Sequence, residues 1–105
     1  MDIQLKRGIL DVLVLSTLLK EDSYGYKIVK DLQTVTEMSE STLYPILKRL
    51  ESAKLIRVYG VEHSGRLRKY YSITRAGVAR IDGFLSEWQD VMRIYEFIDN
   101  MRRRK

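Results

Sequence analysis

The sequence predicts a mainly helical α+β chain: three helices, a two-stranded β-hairpin and one long last helix. Three observations predict it. Apolar residues recur at spacings of three and four over residues 4–20, 24–33, 40–53 and 75–101, as on helices packed along one side. Residues 56–74 carry two apolar-alternating runs on either side of Glu62-His63-Ser64-Gly65, the pattern of a hairpin. Finally, 105 residues with 45% apolar and 31% charged side chains suffice for one modest core and leave little room for a deep cleft.

In the first helix, expected over residues 4–20, Leu5, Ile9, Val12, Leu13, Ser16 and Leu19 share one side, while Leu10, Val14, Leu15 and Leu18 fill much of the rest. A helix apolar nearly all round is buried on more than one side. In so short a chain the second side is expected to face another protomer. Lys20-Glu21-Asp22 ends this helix, and Ser23 is expected to cap the next. That second helix covers residues 24–33, with Tyr24, Ile28 and Leu32 on one stripe; residues 34–38 form a polar connection.

Ser39 is the cap expected for the third helix, residues 40–53. Leu43, Ile46, Leu47 and Leu50 form its buried face, with Ser41, Thr42, Lys48 and Arg49 on the other sides. Pro45 removes one backbone hydrogen bond and crowds the Ser41 carbonyl, at low cost because it sits in the second turn. In the hairpin, Ile56, Val58, Leu67, Tyr71 and Ile73 give β character. An isolated two-stranded hairpin is marginally stable, so it must lean on the helices.

Thr74 caps the last helix, which runs from Arg75 to about Met101, a rod of ~40 Å. Phe84, Trp88, Val91, Tyr95 and Ile98 follow the 3.5-residue repeat of a helix packed along another helix. A rod this long outruns a three-helix core, so its stripe is expected to form a dimer. The chain then divides into a 1–74 domain and a 75–105 segment holding the dimerisation helix and a basic tail.

Charge is unevenly placed. The net +5 hides a −2 over residues 1–40, a +6 over residues 41–75, a −3 over residues 76–101 and a +4 on Arg102-Arg103-Arg104-Lys105. That last run is expected to be a disordered, solubilising tail, although helix C-termini also attract cations. There is no Cys, hence no disulfide and no thiolate metal site. The one His, His63, reads as a loop residue, neither ligand nor base. No nucleophile–base pair, metal set or phosphate-cradling glycine loop can be assembled, so an enzyme is not expected, nor any cofactor. The longest apolar stretch, residues 12–15, is too short to span a membrane, and MDIQLKRG lacks the order of a signal peptide; the expected location is the cytoplasm.

Three helices followed by a hairpin is the order of a winged helix-turn-helix, in which the third helix enters the major groove and the hairpin wing lies on the adjacent backbone. The +6 block coincides with those two elements, where phosphate contacts need Lys and Arg. Ser41, Thr42 and Tyr44 at the helix start offer hydroxyls for phosphates beside free backbone amides, unless Ser41 serves only as a cap and Tyr44 only as core. Of Lys48 and Arg49, one is expected to face DNA and the other solvent. Arg66, Arg68 and Lys69 put three cations within four residues beside the wing turn, suited to a phosphate or minor-groove contact. A winged helix used as a protein–protein scaffold is the competing reading.

Residues 41–51, STLYPILKRLE, and 65–77, GRLRKYYSITRAG, together with Tyr24-Gly25-Tyr26, resemble the PadR family of transcriptional regulators over essentially the whole chain. A single helix after the wing looks like its short subfamily. The resemblance implies a homodimer, joined through the first and last helices, that binds a pseudo-palindromic operator, usually as a repressor. By position it points to Ser41, Thr42, Tyr44, Lys48 and Arg49 in the third helix, to Arg66, Arg68 and Lys69 in the wing, and to Tyr24 and Lys27 as backbone contacts. Some short relatives bind flat aromatic compounds between subunits through a Trp on the last helix, and Trp88 looks like that residue. Val12 and Ser16 would line the walls, with Phe84 and Met92 one turn to either side. The alternative is that Trp88 only anchors the dimer. Met92 stands where a carboxylate would favour a cationic ligand, and Glu87 and Asp90 are expected to point away, so a neutral aromatic effector is the expectation.

Overall fold

The computed structural model describes residues 2–104. Its elements are α1 (Ile3–Ser16), β1 (Ser23–Tyr24), α2 (Gly25–Leu32), α3 (Glu40–Ser52), β2 (Ile56–His63), β3 (Arg66–Ile73) and α4 (Arg75–Arg103). Helix α1 starts on Asp2, whose carboxylate accepts the amides of Gln4 and Leu5 at 2.7 and 3.2 Å. It stops at Ser16, short of the expected residue 20. There the Ser16 and Thr17 hydroxyls donate to the carbonyls of Leu13 and Val14, and the backbone tightens into i→i−3 bonds. Leu18 still reaches the core from this turn.

Ser23 does not cap α2. It lies in β1, a strand too short for an alternation pattern to reveal, which pairs antiparallel with β3 through Ser23↔Tyr71 and Tyr24↔Tyr70. The sheet is therefore three-stranded, in the order β1-β3-β2, rather than the expected two-stranded hairpin. The Ser23 hydroxyl is fully buried with no partner, and α2 begins after an extended Tyr24 with no side-chain cap. The wing closes through Ser64-Gly65 with φ of 53° and 77°, a left-handed two-residue turn whose twist suits a hairpin.

Helix α3 begins as expected, the Ser39 hydroxyl accepting the Thr42 amide at 3.3 Å. It ends in a Schellman motif: Lys54 takes φ 61°, and the Leu55 and Lys54 amides donate to the Leu50 and Glu51 carbonyls, each at 2.9 Å. Leu50 and Leu55 supply the accompanying apolar contact, both buried. The core joins Val14, Leu15 and Leu18 of the α1 segment to Ile28 and Leu32 of α2, Leu43, Ile46, Leu47 and Leu50 of α3, and Ile56, Tyr71 and Ile81.

Thr74 links α4 to this body. Its hydroxyl accepts the Gly77 amide at 3.2 Å and donates to the Lys54 carbonyl at 2.8 Å. A Cβ at Gly77 would lie 2.4 Å from the Leu55 carbonyl oxygen, so only glycine lets the first turn sit this close. Beyond its first turns α4 projects from a molecule 67 Å long and about 25 Å across, leaving Leu85, Val91, Ile94, Tyr95, Phe97 and Ile98 exposed. The basic tail is not a disordered run over its described part. Arg102 and Arg103 are helical and reach Asp99 at 3.1 Å, one turn back, where helix pairing and the C-terminal dipole both favour cations. Arg104 is the cap residue, and Lys105 lies outside the described residues.

Candidate nucleic-acid interface

The buried stripe of α3 fixes what its other side can present. With Leu43, Leu47 and Leu50 in the core, Ser41, Tyr44 and Lys48 share the outer face at spacings of three and four. Near the helix start the Ser39 hydroxyl lies 3.0 Å from that of Ser41 and 3.1 Å from that of Thr42. Ser41 and Thr42 are thus joined to the cap and still exposed, so the cap and contact roles coexist. Tyr44 is not core; it is about half exposed, and its phenol oxygen would lie 2.8 Å from a Cβ at Gly25. Gly25 thereby lets the tip of α3 rest on the start of α2.

The wing reaches the same place. Tyr24, Gly25, Tyr44, Arg68 and Lys69 line one open cleft of about 280 Å³. The Arg68 guanidinium lies over the Tyr24 ring, 4.4 Å from its centroid. Strand register divides the three wing cations. Arg66 and Arg68 oppose His63 and Val61 on one face, whereas Lys69 opposes Gly60 on the other with Leu67. A run of basic letters therefore becomes a two-sided grip on the described wing. Leu67, 76% exposed, folds over the bare Cα of Gly60.

Two expected contacts are placed differently. The Arg49 guanidinium bonds Asp11 of α1, whose side chain is 10% exposed, inside the α1–α3 seam. It faces neither solvent nor the outer stripe, because its position on α3 falls beside the buried leucines. Lys27 bonds Asp31 at 3.1 Å, with Glu21 at 3.8 Å. The hydrogen bond to Asp31 is the main cause holding its ammonium above the ordinary lysine range.

On the opposite flank, Val12 and Phe84 meet in an open cleft of about 340 Å³ between α1 and α4, lined also by Gly8, Gly83 and Glu87. The Trp88 ring packs at 5.8 Å from Phe84. Ser16 and Met92 are exposed and outside that lining. Glu87 does not point away: three residues after Phe84, it falls on the same helix face and lines the cleft. Asp90 pairs with Arg93. Among the described residues no cluster of His, Cys, Asp or Glu is placed to hold a metal ion, and no helix is long and apolar enough to cross a membrane.

Sequence reasoning missed the β1 strand, the tyrosines Tyr59 and Tyr70 that it helps align, and Asp11. Of these only Asp11, a lone charge in an apolar stripe, carried a signal.

A helical core bearing a hairpin wing, with the outer stripe of α3 and the wing cations converging, defines a winged helix-turn-helix domain. The chain belongs to the PadR-like family of transcriptional regulators, whose family model matches residues 14–82. A curated relative, an uncharacterized protein X of Lysinibacillus sphaericus, is 37% identical over 95 residues, 86% of this chain and 87% of that protein. A PadR family transcription regulator from Clostridium difficile R20291 has a similar structure, with TM-score 0.78 and 36% identity over 85% of this chain and 96% of that one. The fold is also that of Bacillus subtilis PadR, solved in complex with operator DNA, at TM-score 0.67 and 23% identity over 73% of this chain and 46% of that one.

Proposed function

We propose that this chain is a homodimeric, sequence-specific DNA-binding repressor of transcription that works in the cytoplasm. The observation that carries the reading is the convergence of Tyr24, Tyr44, Arg68 and Lys69 from three elements on one cleft, beside the exposed Ser41, Thr42 and Lys48. Hydroxyls at the start of α3 and cations on the wing are the groups that hold phosphates, and the outer stripe of α3 is the part that meets base edges. Arg66 joins the wing contact. Lys27 reaches phosphate by exchanging its exposed carboxylate partners, which hold it weakly.

Residues 1–74 read the DNA and residues 75–105 join two copies. The apolar residues exposed along α4, with Leu5 and Leu19 of the α1 segment, support that pairing. Two copies place their third helices ~34 Å apart, one turn of a pseudo-palindromic operator. A planar aromatic effector held at Val12, Phe84 and Trp88 near the dimer interface releases the operator if it prefers another wing spacing. Glu87 at the cleft makes a cationic aromatic as acceptable there as a neutral one.

The test is fluorescence anisotropy of a fragment from the protein's own promoter region, titrated at several salt concentrations. Binding that is tight at low salt and falls steeply with added salt is expected. Binding that is absent at low salt, or indifferent to salt, returns the domain to a protein–protein scaffold. Sedimentation at micromolar concentration should give a dimer, and planar aromatics should quench Trp88 fluorescence.

A further inference from the structure

The outer face of the sheet carries an aromatic ladder that ends on a wing cation. Tyr24, Tyr70 and Tyr59 oppose one another across β1, β3 and β2. Tyr24 and Tyr70 have centroids 5.3 Å apart at 54°, and Tyr70 and Tyr59 are stacked at 5.9 Å and 25°. The Tyr59 hydroxyl donates to Asp22, fixing the far end. At the near end Arg68, two residues before Tyr70 on the same face, lies diagonally over Tyr24. Among the described residues Arg68 pairs with no carboxylate.

We propose that Tyr24 is a positioning residue for DNA binding, its ring forming a platform that pre-sets the Arg68 guanidinium beside the start of α2 for a phosphate of the duplex. This inference rests on the DNA-binding reading above. A carboxylate partner would neutralise Arg68 and occupy its N–H groups. A ring face does neither: it attracts the planar cation and leaves the N–H edge free for a bidentate phosphate contact. Holding the long side chain in place beforehand removes part of the ordering cost at binding. The ladder also ties the wing, through β1, to the first turn of α2, so wing and helices meet the backbone as one body.

The experiment is a salt-resolved anisotropy titration of the promoter fragment with Tyr24→Phe, Tyr24→Leu, Arg68→Ala and the Tyr24→Leu/Arg68→Ala double variant. Tyr24→Phe keeps the platform and should bind within about twofold of wild type, whereas Tyr24→Leu should lose roughly three- to tenfold. Arg68→Ala should bind more weakly and lower the log–log salt slope by about 0.9. The double variant should match Arg68→Ala alone. Two results overturn the proposal: Tyr24→Phe losing as much as Tyr24→Leu, because the hydroxyl itself then touches DNA, or Tyr24→Leu adding its full loss on top of Arg68→Ala. A readout free of DNA is the Arg68 Nε–H resonance, expected upfield of a free arginine in wild type and Tyr24→Phe and shifted back in Tyr24→Leu. A free-arginine position in wild type overturns the platform. A wild-type chain that binds no promoter DNA sinks the DNA reading instead, and the resonance separates the two failures.

Discussion

Replacing Arg49 with methionine removes the only cation bonded to Asp11 among the described residues and leaves that carboxylate in the α1–α3 seam. Breaking a buried ion pair by removing one partner costs about 3–5 kcal/mol, because the remaining charge is desolvated and unpaired. Here the Asp11 side chain is 10% exposed but that of Arg49 is 37% exposed, so water screens one end. The cost should therefore be about 2 kcal/mol. At roughly 4–8 °C per kcal/mol for a domain near this size, Tm should fall by about 10 °C, measured by far-ultraviolet circular dichroism. The Asp11→Leu/Arg49→Met double variant should recover most of that loss, since a matched apolar pair desolvates nothing. The guanidinium Nε is buried with no partner even in the native chain, which adds to what methionine relieves. Two results would refute the reasoning: a single variant melting within about 2 °C of wild type, or a double variant melting no higher than the single. The same double variant locates the Arg49 charge. Promoter affinity and salt slope should stay unchanged if it belongs to the seam, and a slope lowered by about 0.9 would return it to a phosphate.

Other outcomes follow from single sites. Lys48→Ala, on the exposed face of α3, should leave Tm unchanged while weakening promoter binding and lowering the salt slope by about 0.9 in anisotropy titrations. Gly77→Ala should destabilise the chain by about 2 kcal/mol in urea unfolding, the clash with the Leu55 carbonyl and Ile73 outweighing alanine's better helix propensity. Lys54→Gly, at φ 61°, should raise stability by about 1 kcal/mol in the same assay, by relieving a left-handed residue at the end of α3. The phenols of Tyr59 and Tyr71 are held above the ordinary 10.0, Tyr59 chiefly by its hydrogen bond to Asp22 and Tyr71 chiefly by burial. The stability they contribute is full below the ordinary value and is lost as pH rises through the raised ones, so a Tyr59→Phe/Tyr71→Phe variant should unfold less steeply in alkali.

The sequence by itself determined the four helices and the wing, because hydrophobic period and cap chemistry are local. Ser39 and Thr74 each accept the amide three residues on, as their positions before apolar runs foretold. It also determined where the charge lies and, through residues 41–51 and 65–77, the family. What it could not carry was decided by pairing and packing. β1 exists only because β3 offers an open edge to two residues that have no pattern of their own. Lys48 and Arg49 are adjacent cations of the same kind in the sequence. Helical rotation of ~100° between neighbours turns one outward and the other onto Asp11, thirty-eight residues away. The wing's basic run is split between two faces by strand alternation, and Arg68 finds Tyr24 only once three strands are aligned. Contacts within a turn are written in the local sequence. A partner dozens of residues distant, on another element, is fixed only when the core closes and sets both in register.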